Sequence, residues 1–159
     1  DEGYGIVTSM DLVVQVRPAI ILDELEDELR AFLTRELART GPDWWERRVP
    51  TPVRKRCESR RQDELAGLPA ALAQVEQETP LLEYASFGDY LAIILEDRNW
   101  QELFQPIFRS KEWVMRRFTD LRELRNRVAH NRKLDPDRCE LLDVYAGEFL
   151  AAIRGEPLR

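Results

Sequence analysis

The apolar positions of this chain recur almost everywhere at helical spacing. Between Ala19 and Arg39 they are Ile21, Leu22, Leu25, Leu29, Phe32, Leu33 and Leu37, one stripe of one helix. Pro18 suits the first turn of that helix, and Thr40-Gly41-Pro42 stops it. Asp43-Trp44-Trp45 begins a second segment, broken by Pro50 and Pro52. A basic helix follows from Val53 to about Glu64, then Gly67 and Pro69, then a weaker helix from Ala70 to Gln77. Thr79-Pro80 opens a stretch reaching Ser86, where Ser86-x-x-Asp89 resembles a capping box with Asp in the third position. The helix it starts, Phe87 to Glu96, is strongly apolar and central. Asp97 is placed to cap the next helix, which turns Trp100, Leu103 and Phe104 to the core until Pro106 kinks or ends it. Ser110 can cap a long amphipathic segment ending near Lys133. Asp135-Pro136 starts a last helix reaching about Ile153, ended by Gly155-Glu156-Pro157. No strand alternation appears after residue 16. The pattern predicts an all-α domain, a helical bundle of about five to seven helices.

The segment from Ser110 to Lys133 would be about 36 Å long as one helix. At about 100° per residue, Phe118, Leu121, Val128 and Ala129 fall within about 60° of Val114, and Leu124 sits at the edge of this stripe. Arg125 falls near the centre of the stripe. A charge buried there must be paired, and the plain expectation is a carboxylate on a neighbouring helix. His130 is the only histidine of the chain. It lies about 140° round the helix from Arg125, and Asn126, four residues before it, shares nearly the same face. A lone histidine on a polar face is often a surface residue and nothing more.

Composition changes the picture in three ways. The 159 residues suffice for one domain with a real core, and 34% charged residues suit helices with solvated faces. With one His and the two distant cysteines Cys57 and Cys139, a metal site is not expected. Unpaired cysteines fit a reducing, cytoplasmic setting, and no apolar run is long enough to span a membrane. Beginning with Asp rather than Met, the chain reads as a piece of a longer protein. The net charge of −6 argues against indiscriminate nucleic-acid binding, but its distribution is uneven. Lys111 to Lys133 holds eight Lys or Arg against three acids, and Arg47 to Arg61 holds seven against one. Such segments form phosphate-binding surfaces, or solvated helix faces paired with acids elsewhere. Trp44 and Trp45 are candidates for base stacking, although tryptophans near a helix start more often anchor a core.

The stretch Arg125-Asn126-x-x-x-His130 resembles the signature of the HEPN superfamily, in which an Arg is followed by a polar residue and, four to six positions after the Arg, by a His. The run Tyr90 to Phe104 before it and Asn131-Arg132 after it resemble the subtype found beside the PIN nuclease domain of a yeast RNA-surveillance protein. The resemblance covers about residues 19 to 153. It implies an all-α HEPN-like bundle, a two-fold homodimer, and, in active members, a metal-independent endoribonuclease with no cofactor. In that role His130 would be general base or acid, an imidazole being suited to proton transfer near neutral pH. Arg125 would hold the scissile phosphate, and Asn126 would orient the phosphate or the His. Arg122, Arg127, Arg132 and Lys133 would steer the RNA backbone. Some HEPN toxins, part of a family used in RNA defence, carry a Tyr two residues after the His that a partner enzyme modifies. Here that position is Arg132, which puts that mode of control in doubt. Many HEPN domains no longer cut RNA and serve as dimerisation or RNA-binding modules, and a plain helical linker is a third reading.

Residues 1–16 read differently from 17–159, the HEPN-like domain. Gly5-Ile6-Val7 is a β-type run, and Thr8 or Ser9 can cap a helix start at Met10-Asp11-Leu12. Gly-Ile-Val-Thr-x-x-Asp-Leu resembles the end of a CBS domain, so the segment is expected to be the remnant of such a module. In complete CBS pairs the matching Thr and Asp contact an adenine nucleotide. Thr8 and Asp11 hold those positions, but only a complete module would bind the regulatory nucleotide. The bland alternative is a chance strand-turn-helix entry to the main domain.

Overall fold

The computed structural model describes residues 9–156, with side chains from residue 16 onward. Gly5-Ile6-Val7 and Thr8 lie outside the described residues, as does the side chain of Asp11. Among the described residues there is no strand. The helices are α1 (Ser9–Ala38), α2 (Trp44–Arg48), α3 (Thr51–Ala66), α4 (Ala70–Gln77), α5 (Phe87–Leu95), α6 (Asp97–Asn99), α7 (Gln105–Phe108), α8 (Lys111–Ala129) and α9 (Pro136–Arg154), so the all-α expectation holds. A 3-10 turn (Leu81–Tyr84) precedes α5, and a π-helical turn (Trp100–Phe104) joins α6 to α7.

The chain forms two compact units. One contains residues 29–118; the other contains 1–28 and 119–159. In the first unit the core is aromatic. Phe32 meets Phe104 and Phe108 at centroid distances of 6.0 Å, and Phe87 meets Phe118 at 6.1 Å. Such tilted and edge-on contacts suit the ring quadrupoles. Ser86 caps α5 as expected: its hydroxyl accepts from the Asp89 N–H, while the Ser86 N–H donates to the Asp89 carboxylate. Asn99, fully buried, donates to the carbonyls of Arg48 (2.7 Å) and Ile93 (2.9 Å), tying α2 to α5.

Several sequence expectations are corrected here. Pro18 does not start a helix, because α1 begins at Ser9 and runs through it. Proline has a helical φ and removes only one N–H, a loss that a 30-residue helix with a buried face can sustain. Glu96, not Asp97, caps α6. Its carboxylate accepts from the Asn99 N–H at 2.9 Å, and Asp97 instead pairs with Lys111 at 3.0 Å. The irregularity expected at Pro106 takes the form of the π-helical turn ahead of it. Pro52 sits in the first turn of α3, where its missing N–H breaks no bond. Trp44 and Trp45 pack edge to face and are half-buried, so they are partial anchors.

In the second unit, Leu22, Leu25, Leu121, Leu124, Leu142, Ala146 and Phe149 are buried. Asp135 caps α9 by accepting from the Arg138 N–H at 2.8 Å, and Gly155, at φ 69°, closes it. Arg17 pairs with Asp143, and Arg154 with Glu28, joining α9 to α1.

A candidate phosphodiester site at the end of helix α8

The motif helix stops four residues earlier than its amphipathic pattern suggests. Asn131 adopts the left-handed conformation (φ 54°), its N–H bonds to Val128 O, and the Arg132 N–H bonds back to Arg127 O. This is the paired closure of a Schellman turn, with Asn in the place glycine commonly takes. The buried stripe also differs from the predicted one. Val128 is only half-buried and Ala129 is exposed, whereas Leu124, predicted at the edge, is buried. His130 still belongs to the helical screw, because its N–H bonds to Asn126 O at 3.0 Å.

The structure separates the three motif residues onto two faces. Arg125 turns toward α1, where its Nε lies 3.0 Å from Glu26 Oε1 and its Nη1 lies 3.7 Å from Asp23 Oδ1. Its side chain is 32% exposed and that of Glu26 is 16% exposed, so the pair is partly shielded from water. The paired arginine expected near the centre of the stripe is therefore found. Asn126 and His130 are both exposed, on a face about 100° to 140° away from Arg125. Arg122, Arg132 and Lys133 are exposed as well. Arg127 is half-buried, and its Nε lies 3.6 Å from Glu123 on its own helix.

Sequence reasoning missed Asp23 and Glu26. Their signal was available: two carboxylates three residues apart share a helix face, and a buried-stripe arginine elsewhere needs such a partner. It also missed the hollows beside the turn. One, of about 290 Å³, is lined by Val16, Ala19, Val128, Asn131 and Arg132. A larger one, of about 750 Å³, lies among Arg17, Ile21, Leu134, Cys139, Leu142 and Asp143. Burial, then the nearby Asp143 and Asp135 carboxylates, push the Cys139 thiol up from its ordinary value.

The second basic segment has another use. Asp89, 1% exposed, receives Arg56 Nε at 2.8 Å and Arg60 Nη1 at 2.7 Å, and Arg60 also reaches Tyr84 O. Arg48 is buried against Glu102, and Arg54 bonds to Val49 O. Burial pushes the Asp89 carboxyl up, but the hydrogen bonds from Ser86, Arg60 and Arg56 outweigh it and hold it below its ordinary value. The same Asp89 charge adds to burial in raising the Cys57 thiol to about 11.

Among the described residues no group of three or more His, Cys, Asp or Glu side chains could hold a metal ion, and no helix is long and apolar enough to cross a membrane. What the α8 terminus offers is an exposed imidazole and amide with several exposed cations near them in sequence, donors suited to a phosphodiester. Neither curated proteins nor solved structures give a match to this chain. A family model described as Swt1-like HEPN matches residues 21–154. With that match spanning most of the chain, and helices without a strand among the described residues, the protein belongs to the HEPN superfamily.

Proposed function

We propose that this HEPN domain is a metal-independent endoribonuclease of the subtype found beside PIN nucleases, working as a homodimer. The observation that carries the reading is Arg125-Asn126-x-x-x-His130 at the end of α8, with the imidazole exposed where RNA can reach it. RNA supplies its own nucleophile. The 2′-oxygen attacks the adjacent phosphorus, its proton passes to an imidazole, the P–O5′ bond breaks, and the 5′-oxygen takes up a proton. The products are a 2′,3′-cyclic phosphate and a 5′-hydroxyl. In a two-fold dimer Arg125 and His130 of both chains can line one cleft, since Arg125 and His130 of one helix diverge too far to grip one small group. Arg125 stabilises charge on the phosphoryl oxygens, Asn126 orients them, and Arg122, Arg127, Arg132 and Lys133 steer the RNA. Residues 1–16 belong to the end of a CBS module. In the complete protein, adenine nucleotide held through Thr8 and Asp11 would regulate the cytoplasmic enzyme.

The test is incubation of the chain with a labelled structured RNA in EDTA, beside Arg125→Ala and His130→Ala. Cyclic-phosphate ends from the wild type alone support the reading; no cleavage by any of them removes it. A second reading has its own support. The pairing of Arg125 with Glu26 and Asp23 is what a structural arginine in a non-catalytic dimerisation or RNA-binding module would show. Under that reading RNA binds uncut, and His130→Ala changes nothing but affinity.

A further inference from the structure

Arg125 pairs with Glu26 and Asp23 on α1, away from the face that carries His130, which leaves open what grips the RNA flanking the cleavage point there. Arg122, Asn126 and His130 follow one another at intervals of four residues. Four residues advance the helix by about 6 Å and turn it only about 40° past a full circle, so the three form one slanted row. All three are exposed. The i,i−4 bond from the His130 N–H to Asn126 O keeps the row intact to its last member, although the chain leaves the helix at Asn131. Arg125 stands about 60° to the other side of Arg122, against Glu26. Arg127 is drawn to Glu123. Among the described residues no carboxylate is paired with Arg122, so its guanidinium is available to a phosphate without first breaking an ion pair.

We infer that Arg122 is the flanking-phosphate anchor of a single-stranded RNA that runs along α8, with Asn126 between it and the cleavage point at His130. The inference rests on the ribonuclease reading and adds a footprint to it. From Arg122 to His130 the axis advances about 12 Å. A stacked strand covers that distance in three to four nucleotides, at about 3.4 Å each, and an extended strand in fewer. A dinucleotide carries only the scissile phosphate and offers Arg122 no flanking one, whereas a tetranucleotide or longer strand carries phosphates for both ends of the row.

The experiment uses the full chain and single-stranded RNAs of two, four and six nucleotides sharing one scissile step, with wild type, Arg122→Ala and Arg122→Lys. For the wild type, kcat/KM rises about tenfold from dinucleotide to hexanucleotide, the effect of one charge-assisted contact. Arg122→Ala loses that rise, falling about tenfold on the hexanucleotide and less than twofold on the dinucleotide. Arg122→Lys recovers part of it, because a point cation still meets the phosphate without the bidentate fork. Equal losses at every length, or a rise retained in Arg122→Ala, overturn the footprint. If the wild type cuts none of these RNAs, the ribonuclease reading fails and the row is judged by binding. The hexanucleotide should then bind Arg122→Ala more weakly, with a salt slope smaller by about one. Equal affinity and slope overturn the anchor in that case too.

Discussion

Two arginine-rich stretches with nearly the same local charge have opposite fates in this protein. Arg47–Arg61 turns much of its charge inward: Arg48 to Glu102, Arg54 to a carbonyl, and Arg56 and Arg60 to the buried Asp89. At the end of α8 the charges are sorted differently. Arg125 and Arg127 are paired with carboxylates, while Arg122, Arg132 and Lys133 are exposed, as is His130. A count of basic residues cannot distinguish these outcomes. The difference lies in whether a carboxylate is delivered within reach, and Asp89 is delivered by the capping turn of α5, about 30 residues away in sequence.

The contrast can be broken most forcefully at His130. His130→Ala should lower cleavage by at least about 100-fold, as loss of a general acid–base group does, while circular dichroism and thermal unfolding stay unchanged. A comparable loss of stability would instead place His130 in the structural class with Asp89. Asp89→Ala, in turn, should destabilise the fold by about 3 kcal/mol, the lower end for breaking a buried ion pair because both arginines are half-exposed. Chemical denaturation measures it.

The pH dependence of unfolding sharpens the same point. The folded Asp89 carboxyl titrates below its ordinary value of 3.8, so the charged form is favoured by folding. Its contribution is complete above about pH 4 and is lost as pH falls through the lower folded value. Asp89→Asn should therefore flatten the acid limb of the stability profile below pH 4; an unchanged limb would show that the Arg56 and Arg60 contacts do not matter to folding.

Smaller effects test the inner pairing of α8. Glu26→Gln keeps an acceptor for Arg125 but removes the charge, and should cost about 1 kcal/mol, as partly exposed pairs do. If Arg125 is held ready for phosphate, the substitution also changes the KM for RNA, which a purely structural pair would not. The smallest expected effect is at Lys55, exposed on α3, where replacement by Ala should leave RNA affinity within about twofold. A larger change would bring α3 back into the RNA surface.

Local rules of the chain were legible in advance. The capping box at Ser86 and Asp89 and the start of α9 at Asp135-Pro136 follow from which side chains can satisfy free backbone groups at helix ends. The need of Arg125 for a carboxylate partner was legible as well. The same reasoning failed where two local solutions competed. Glu96 and Asp97 can each cap, and the backbone geometry at Glu96 decided it. Asn131 can continue a helix or close one, and it closed α8.

By itself, then, the sequence determined helices throughout the main domain and a HEPN family pattern over residues 21–154, because both depend on the spacing of residues along the chain. Only the tertiary structure decided which arginines are spent on carboxylates and which face solvent. That outcome depends on residues such as Glu26 and Asp89, brought near by packing from distant positions, and no periodicity in α3 or α8 carries that information.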